Sequence, residues 1–213
     1  MRHDTHKATV LTGDLVKSSA LTKAQMDHAF RTLQDTAQDM AVWHEASLQF
    51  SRHRGDGWQV ILNKPQYALR TALIFTAKLK SLGPEFNTYI GIATGELQHA
   101  NTPDLNDRND TVFIQSGRAL ETLKSMTSFA PKLAFSEPGA EAAATVLADF
   151  IAEDWTPAQA ETMAQMLAPN ANLSFTDLAK ILNKSRQVVT RTLNAAGYQS
   201  LYLALHLLEK QND

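Results

Sequence analysis

Two aspartates stand where acids are hard to explain as core. Asp14 follows the β-rich run Ala8–Thr12, and Asp56 sits in the turn Arg54-Gly55-Asp56-Gly57. If the strands that carry them lie side by side, the two carboxylates make a hard-oxygen site suited to Mg²⁺ or Mn²⁺. The segment after Asp14, Leu15-Val16-Lys17-Ser18-Ser19, leads into a helix, so its backbone N–H groups can cradle a phosphate. His53 and Arg54 flank Asp56 within reach of such a group, although a hairpin flank alone predicts only surface charge. The same residues also suit plain turns, because Gly-Asp and Gly-Asp-Gly are common turn chemistry.

A second constellation lies near the other end. Leu178, Ala179, Ile181 and Leu182 give one short helix an apolar face, Asn183 suits a left-handed stop, and Ser185 can cap a new helix. In that second helix Val188, Val189 and Leu193 are expected to face inward. Arg186, Gln187, Thr190 and Arg191 are then left facing out, with Lys184 beside them and no acid among them. Arginine, glutamine and threonine are residue types that bond base edges and phosphates in a major groove. The alternatives are a helical hairpin that merely packs, and one that docks on protein.

The elements that must position these groups follow from periodicity. Strands are expected at Ala8–Thr12, Ser47–His53, Trp58–Leu62, Thr88–Thr94 and Lys132–Ser136, the second and third forming a hairpin. Helices are expected from Leu21 to Trp43, from Pro65 to Leu82 and from Val112 to Met126, with a loop from Gln98 to Asp110. The order β-α-β-β-α-β-α-β predicts a sheet with helices laid on one face. An Ala-rich helix over Gly139–Glu153 then leads to one opened by Thr156-Pro157, to the helix pair, and to a last helix over Leu201–Lys210. Trp58, Met163 and Met166 read as packing, and the seven histidines show no metal-binding spacing.

Composition narrows the function classes. The 213 residues suit one ordinary domain plus a smaller one, expected as 1–137 for ligand binding, 138–153 as connecting helix and 154–213 as the helical reader. A hydrophobic content of 44% with 20% charged residues permits a sizeable core. The lack of cysteine excludes disulfide and thiolate-metal scaffolds and is consistent with a reducing cytoplasm. No signal peptide and no membrane span are expected. A net charge of −2 confines any nucleic-acid contact to a local patch.

Two resemblances add to this. The helix pair Ser174–Leu193 resembles the helix-turn-helix of bacterial transcription regulators and of the DNA-reading end of sigma factors. The stretches Thr12-Gly13-Asp14-Leu15-Val16-Lys17-Ser18-Ser19, Arg54-Gly55-Asp56-Gly57-Trp58 and Tyr89-Ile90-Gly91-Ile92-Ala93-Thr94-Gly95-Glu96 resemble the catalytic domain of class III nucleotide cyclases. They are closer still to SatD-like proteins, which share a Gly-Asp-x-x-Gln hairpin, here Gly55–Gln59. That resemblance spans about residues 6 to 136 and implies an α+β, ferredoxin-like, palm-type core, with Asp14 and Asp56 matching the metal-binding aspartates. Arg118 matches the cyclases' transition-state arginine, but Ile114 stands where their asparagine would be. Arg52 is the nearest match to the base-recognising lysine, and Lys17 replaces a customary glycine.

Losing groups that stabilise a phosphoryl transition state costs orders of magnitude in rate. The expected function is therefore a homodimeric DNA-binding regulator whose degenerate cyclase-like domain senses a nucleotide or other phosphorylated ligand. The alternative is an active metal-dependent cyclase or phosphoryl-transfer enzyme regulated by its helical tail.

Overall fold

The computed structural model describes residues 5–53, 55–98, 105, 108–127, 131–169 and 173–211. Five strands, β1 (Thr5–Leu15), β2 (Phe50–Arg52), β3 (Gly57–Leu62), β4 (Thr88–Gln98) and β5 (Leu133–Phe135), form one sheet in the order β2-β3-β1-β4-β5. β1 runs antiparallel to both β3 and β4, and β5 joins β4 in parallel. Strands β1 to β4 are thus two interleaved βαβ units, the ferredoxin-like arrangement. Their crossovers carry α1 (Lys23–Asp39), the short α2 (Ala41–His44) and α3 (Ala68–Lys80). Thr22 opens α1 with a reciprocal capping box to Gln25.

The sheet is apolar on both faces because both are covered. Leu11, Leu15, Trp58, Val60, Leu62, Ile90 and Ile92 pack with α1 and α3 on one side. Ala8, Val10, Ile61, Ala93 and Leu97 pack on the other side with Val112 and Phe113 of α4 (Thr111–Ser125). This corrects the expectation that helices lie on one face. β3, β4 and β5 are parallel, and both crossovers move the same way across the sheet; helices on opposite faces therefore give them opposite hands. The usual right-handed rule places α3 and α4 together.

Gly91 lets α4 come down onto the sheet. A Cβ there would lie 2.1 Å from the Ser116 carbonyl oxygen and 2.5 Å from the Leu120 nitrogen. The Thr12 and Ser116 hydroxyls, 2.7 Å apart, bind helix to strand at the same crossing. β2 is shorter than the expected strand Ser47–His53, and β4 runs on to Gln98, where a loop was expected. Most of that loop, residues 99–104 and 106–107, lies outside the described residues.

The remaining helices are α5 (Ala140–Glu153), α6 (Pro157–Met166), α7 (Phe175–Ile181), α8 (Arg186–Ala195) and α9 (Tyr198–Gln211). α5 and α6 pack on α3, α7 and α6 on α8, and α9 on α5 and α8. One apolar cluster continues from the sheet through Leu73, Met163, Leu178 and Val189 to Leu205. Within that interior Arg70 of α3 is 2% exposed, and it donates to the Leu167 carbonyl at 2.8 Å and to Glu209 of α9 at 2.8 Å.

The turn between α7 and α8 follows from local chemistry. Asn183 adopts φ 50°, while Lys184 N–H donates to the Ala179 carbonyl and Asn183 N–H to the Lys180 carbonyl, a Schellman ending. The Ser185 hydroxyl accepts the Val188 N–H and starts α8. Val189 and Leu193 are buried, but Val188 and Ile181 face solvent, against expectation. Neighbouring residues on a helix point 100° apart, so the burial of Val189 and Ala179 leaves these two outside the inward stripe.

Replacing Gly91 by Ala is expected to cost ~1–3 kcal/mol of unfolding free energy, the range for overpacking. Gly117→Ala, one residue from Ser116 on α4 with nothing within 4 Å of its new methyl, should be neutral or gain up to ~1 kcal/mol from helix propensity. Urea unfolding of both variants checks the pair. Equal effects would contradict the close crossing.

Candidate ligand site and candidate nucleic-acid face

The end of β1 is fixed from below by an indole. Trp58, fully buried on β3, lies across Gly13, where any Cβ would fall 2.1 Å from its ring. Its Nε1 donates to the Thr88 hydroxyl at 3.1 Å, and that oxygen lies 3.0 Å from the Asp14 carbonyl. Gly13 is thus held down on the α3 side, and Asp14, the next residue, projects on the α4 side. The register sets Asp14 opposite Gly57, and Leu15 N–H donates to the Asp56 carbonyl at 3.2 Å.

Asp14 and Asp56 are therefore neighbours at one end of the sheet. Asp14 is buried, and its Oδ2 accepts from the Lys124 ammonium in the last turn of α4. Asp56 Oδ2 accepts from the Ser18 hydroxyl. Burial pushes the Asp14 carboxyl above its ordinary range and Asp56 beside it pushes the same way, while Lys124 pulls it back. Partial burial acts to raise Asp56 as well, but the Ser18 hydroxyl and its contact with Asp14 hold it below the usual carboxylate value. The Asp14 carboxylate in turn raises Lys124. The two carboxylates oppose each other's charge, and the Lys124 ammonium supplies one positive unit beside them.

Two oxygen-donating carboxylates fit a magnesium or manganese ion of the kind held by one or two protein carboxylates, with phosphate and water completing its shell. Among the described residues no group of three or more His, Asp or Glu side chains is placed to hold a metal. Such an ion would compete with the Lys124 ammonium for Asp14.

The other expected ligand-site residues divide. Leu15 and Val16 spend their N–H groups on Asp56 and Asn87 carbonyls, which leaves Lys17, Ser18 and Ser19 for any phosphate cradle. Lys17 takes φ 51°, the left-handed conformation a glycine adopts freely, and lines a depression of about 390 Å³ with Gln25, Glu85 and Asn87. Arg52 points to the opposite side of the sheet from Asp14. Its guanidinium lies 3.8 Å from the Phe30 ring centre and pairs with Asp27 at 3.6 Å. Arg54 lies outside the described residues. Arg118 is six residues before Lys124, about 120° round the helix, and lines a groove of about 340 Å³ with Gln115, Thr122, Ser136 and Glu137. Ile114 is exposed.

Lys124 escaped the sequence reading. Its signal was a lysine eight residues after the buried Ser116, on the stripe of α4 that faces the sheet. His44, by contrast, is a satisfied core histidine. Burial and then Lys64 lower it to about 4, and its Nδ1 accepts the Lys64 N–H at 3.4 Å.

On α8, Arg186, Gln187 and Arg191 are exposed and Thr190 half-buried, and with Asn194 they surround an open depression of about 530 Å³. Among the described residues no carboxylate pairs with Arg186 or Arg191. Lys184 is engaged by Glu161 at 2.9 Å, Ser185 is spent on its cap, and the Thr190 hydroxyl donates to the Arg186 carbonyl.

No protein-family model and no curated protein matches the chain. Among solved structures it is similar to a bacterial light-regulated adenylyl cyclase, with 15% identity, 62% of this chain and 76% of that one covered, and a TM-score of 0.45. It is also similar to the guanylyl cyclase Cya2, with 18% identity, 55% and 71% covered, and a TM-score of 0.41.

If Lys124 occupies the place of a cation, Lys124→Met should bind Mn²⁺ more tightly than the wild type, by roughly fivefold for a half-exposed charge pair. Asp14→Asn should bind it less tightly. Titration calorimetry with Mn²⁺ alone decides, and an unchanged affinity in Lys124→Met contradicts the assignment.

Proposed function

We propose that this chain is a DNA-binding regulator whose sheet-bearing half binds a phosphorylated ligand, a nucleotide in the first instance, together with Mg²⁺ or Mn²⁺ at Asp14 and Asp56. The observation that carries this is the outward side of α8. Two arginines and a glutamine stand there unmatched by any carboxylate among the described residues, on a helix whose other side, Val189 and Leu193, is sunk in the core. The tight turn at Asn183 supports the comparison with helix-turn-helix readers, in which the second helix enters the major groove. In this scheme Arg186 and Gln187 reach base edges, while Arg191 and Thr190 sit nearer the backbone.

Ligand and metal act in the same scheme by changing what Lys124 holds at the end of α4. The apolar cluster and the Arg70 bridges give that half a packed connection to α6 and α9, and α8 rests on both. An enzyme reading is favoured by the paired carboxylates. Against it stand Ile114 in place of a polar group and the Lys124 ammonium already seated on Asp14.

Electrophoretic shift on a duplex selected from a random pool tests the assignment. Arg186→Ala and Arg191→Ala should each weaken binding by ~1–3 kcal/mol, roughly five- to 150-fold. Undiminished binding in both variants overturns it.

A further inference from the structure

α5 is apolar along its outward side as well as over much of its inward one. Ala148 and Ala152 are buried against the rest of the protein, and Ala143, Val146, Leu147 and Phe150 recur at helical spacing on the opposite side. A helix of that kind belongs in an interior, yet Val146, Leu147 and Phe150 are 44%, 66% and 67% exposed. On the adjoining helix α9, Leu203 and Leu207 are 57% and 56% exposed.

We propose that this face is where a second copy of the chain docks. Side chains of this size offer roughly 150–200 Å² each, so the five expose about 500 Å² per protomer. Two copies meeting over them bury up to about 1,000 Å² from these side chains, the lower bound for a biological interface. A two-fold contact sets one patch against its own image, so like charges in it would repel. Between Glu141 and Glu153 the single ionisable group of α5 is Asp149, which is buried on the inward side and accepts the Lys132 N–H at 2.8 Å. A lipid surface fits less well, because α5 carries acids near both ends and no lysine or arginine. Because α8 packs against α9, pairing through this face would also fix the separation of two α8 helices, a consequence that rests on the DNA reading above.

Sedimentation of the full chain without DNA tests the surface. The wild type should run at twice 23.5 kDa, or 47 kDa. Leu147→Glu with Phe150→Glu, and separately Leu203→Glu with Leu207→Glu, should run at 23.5 kDa with unchanged circular dichroism and a melting temperature that no longer depends on protein concentration. Val42→Glu, at a still more exposed apolar residue on α2, should remain a dimer. A monomeric wild type, a dimer that survives the α5 substitutions, or one that Val42→Glu dissociates overturns the proposal. Since no DNA is present, any of these leaves the assignment of Arg186 and Arg191 to its own test.

Discussion

A guanidinium that cannot give up its proton lies 2% exposed in the middle of this molecule. Arg70 is tolerable there because its donors are met, by the carbonyl that ends α6 and by the Glu209 carboxylate of α9. Removing the Glu209 carboxylate would strand a buried charge, which costs several kcal/mol in comparable interiors. The bridge therefore constrains how the C-terminal helices sit on α3. α3 is also the crossover between β3 and β4, so the same helix that completes the sheet receives α5 and α6.

At the other end of the sheet, charge is balanced in a different way. Asp14 and Asp56 are brought together by the antiparallel register of β1 and β3, and by an indole that fills the space over Gly13. Their mutual repulsion is offset by one ammonium, which comes from α4 because Gly91 allows that helix to settle on the strand below. In the reading proposed above, a divalent ion or a phosphate would compete for one partner of this ion pair, whose lysine is half-exposed.

Features set by neighbours in sequence were the ones legible without coordinates. Asn183 and Ser185 encode a helix stop and a helix start within three residues, and Gly13-Asp14 marks a strand end whatever packs around it. The nearness of Asp14 to Asp56 was legible only as a conditional, since it depends on which strands pair. Arg52 lies on the Phe30 side of the sheet rather than the Asp14 side because strand side chains alternate, and a single step of parity separates the two. Val188 and Ile181 failed for the analogous reason on a helix, where each step turns a side chain by 100° and these two fall just outside the stripe that buries Leu178, Ala179, Val189 and Leu193. The place of Lys124 beside Asp14 and the side of the sheet chosen by α4 were not legible. They depend on the hand of one crossover, which no local pattern states.

Two charged centres are thus joined by a packed interior: a carboxylate pair held by a lysine, and a helix whose outward arginines have no acid among the described residues. The contact between that helix and a polyanion is the claim on which the rest depends. Its most direct measurement is the binding constant for a fluorescent duplex, by anisotropy, at several salt concentrations. If α8 lies on phosphates, log K falls linearly with log salt, and Arg191→Ala, at the arginine nearer the backbone, makes the slope shallower by about one. Binding indifferent to salt, or a slope that Arg191→Ala leaves unchanged, would contradict it.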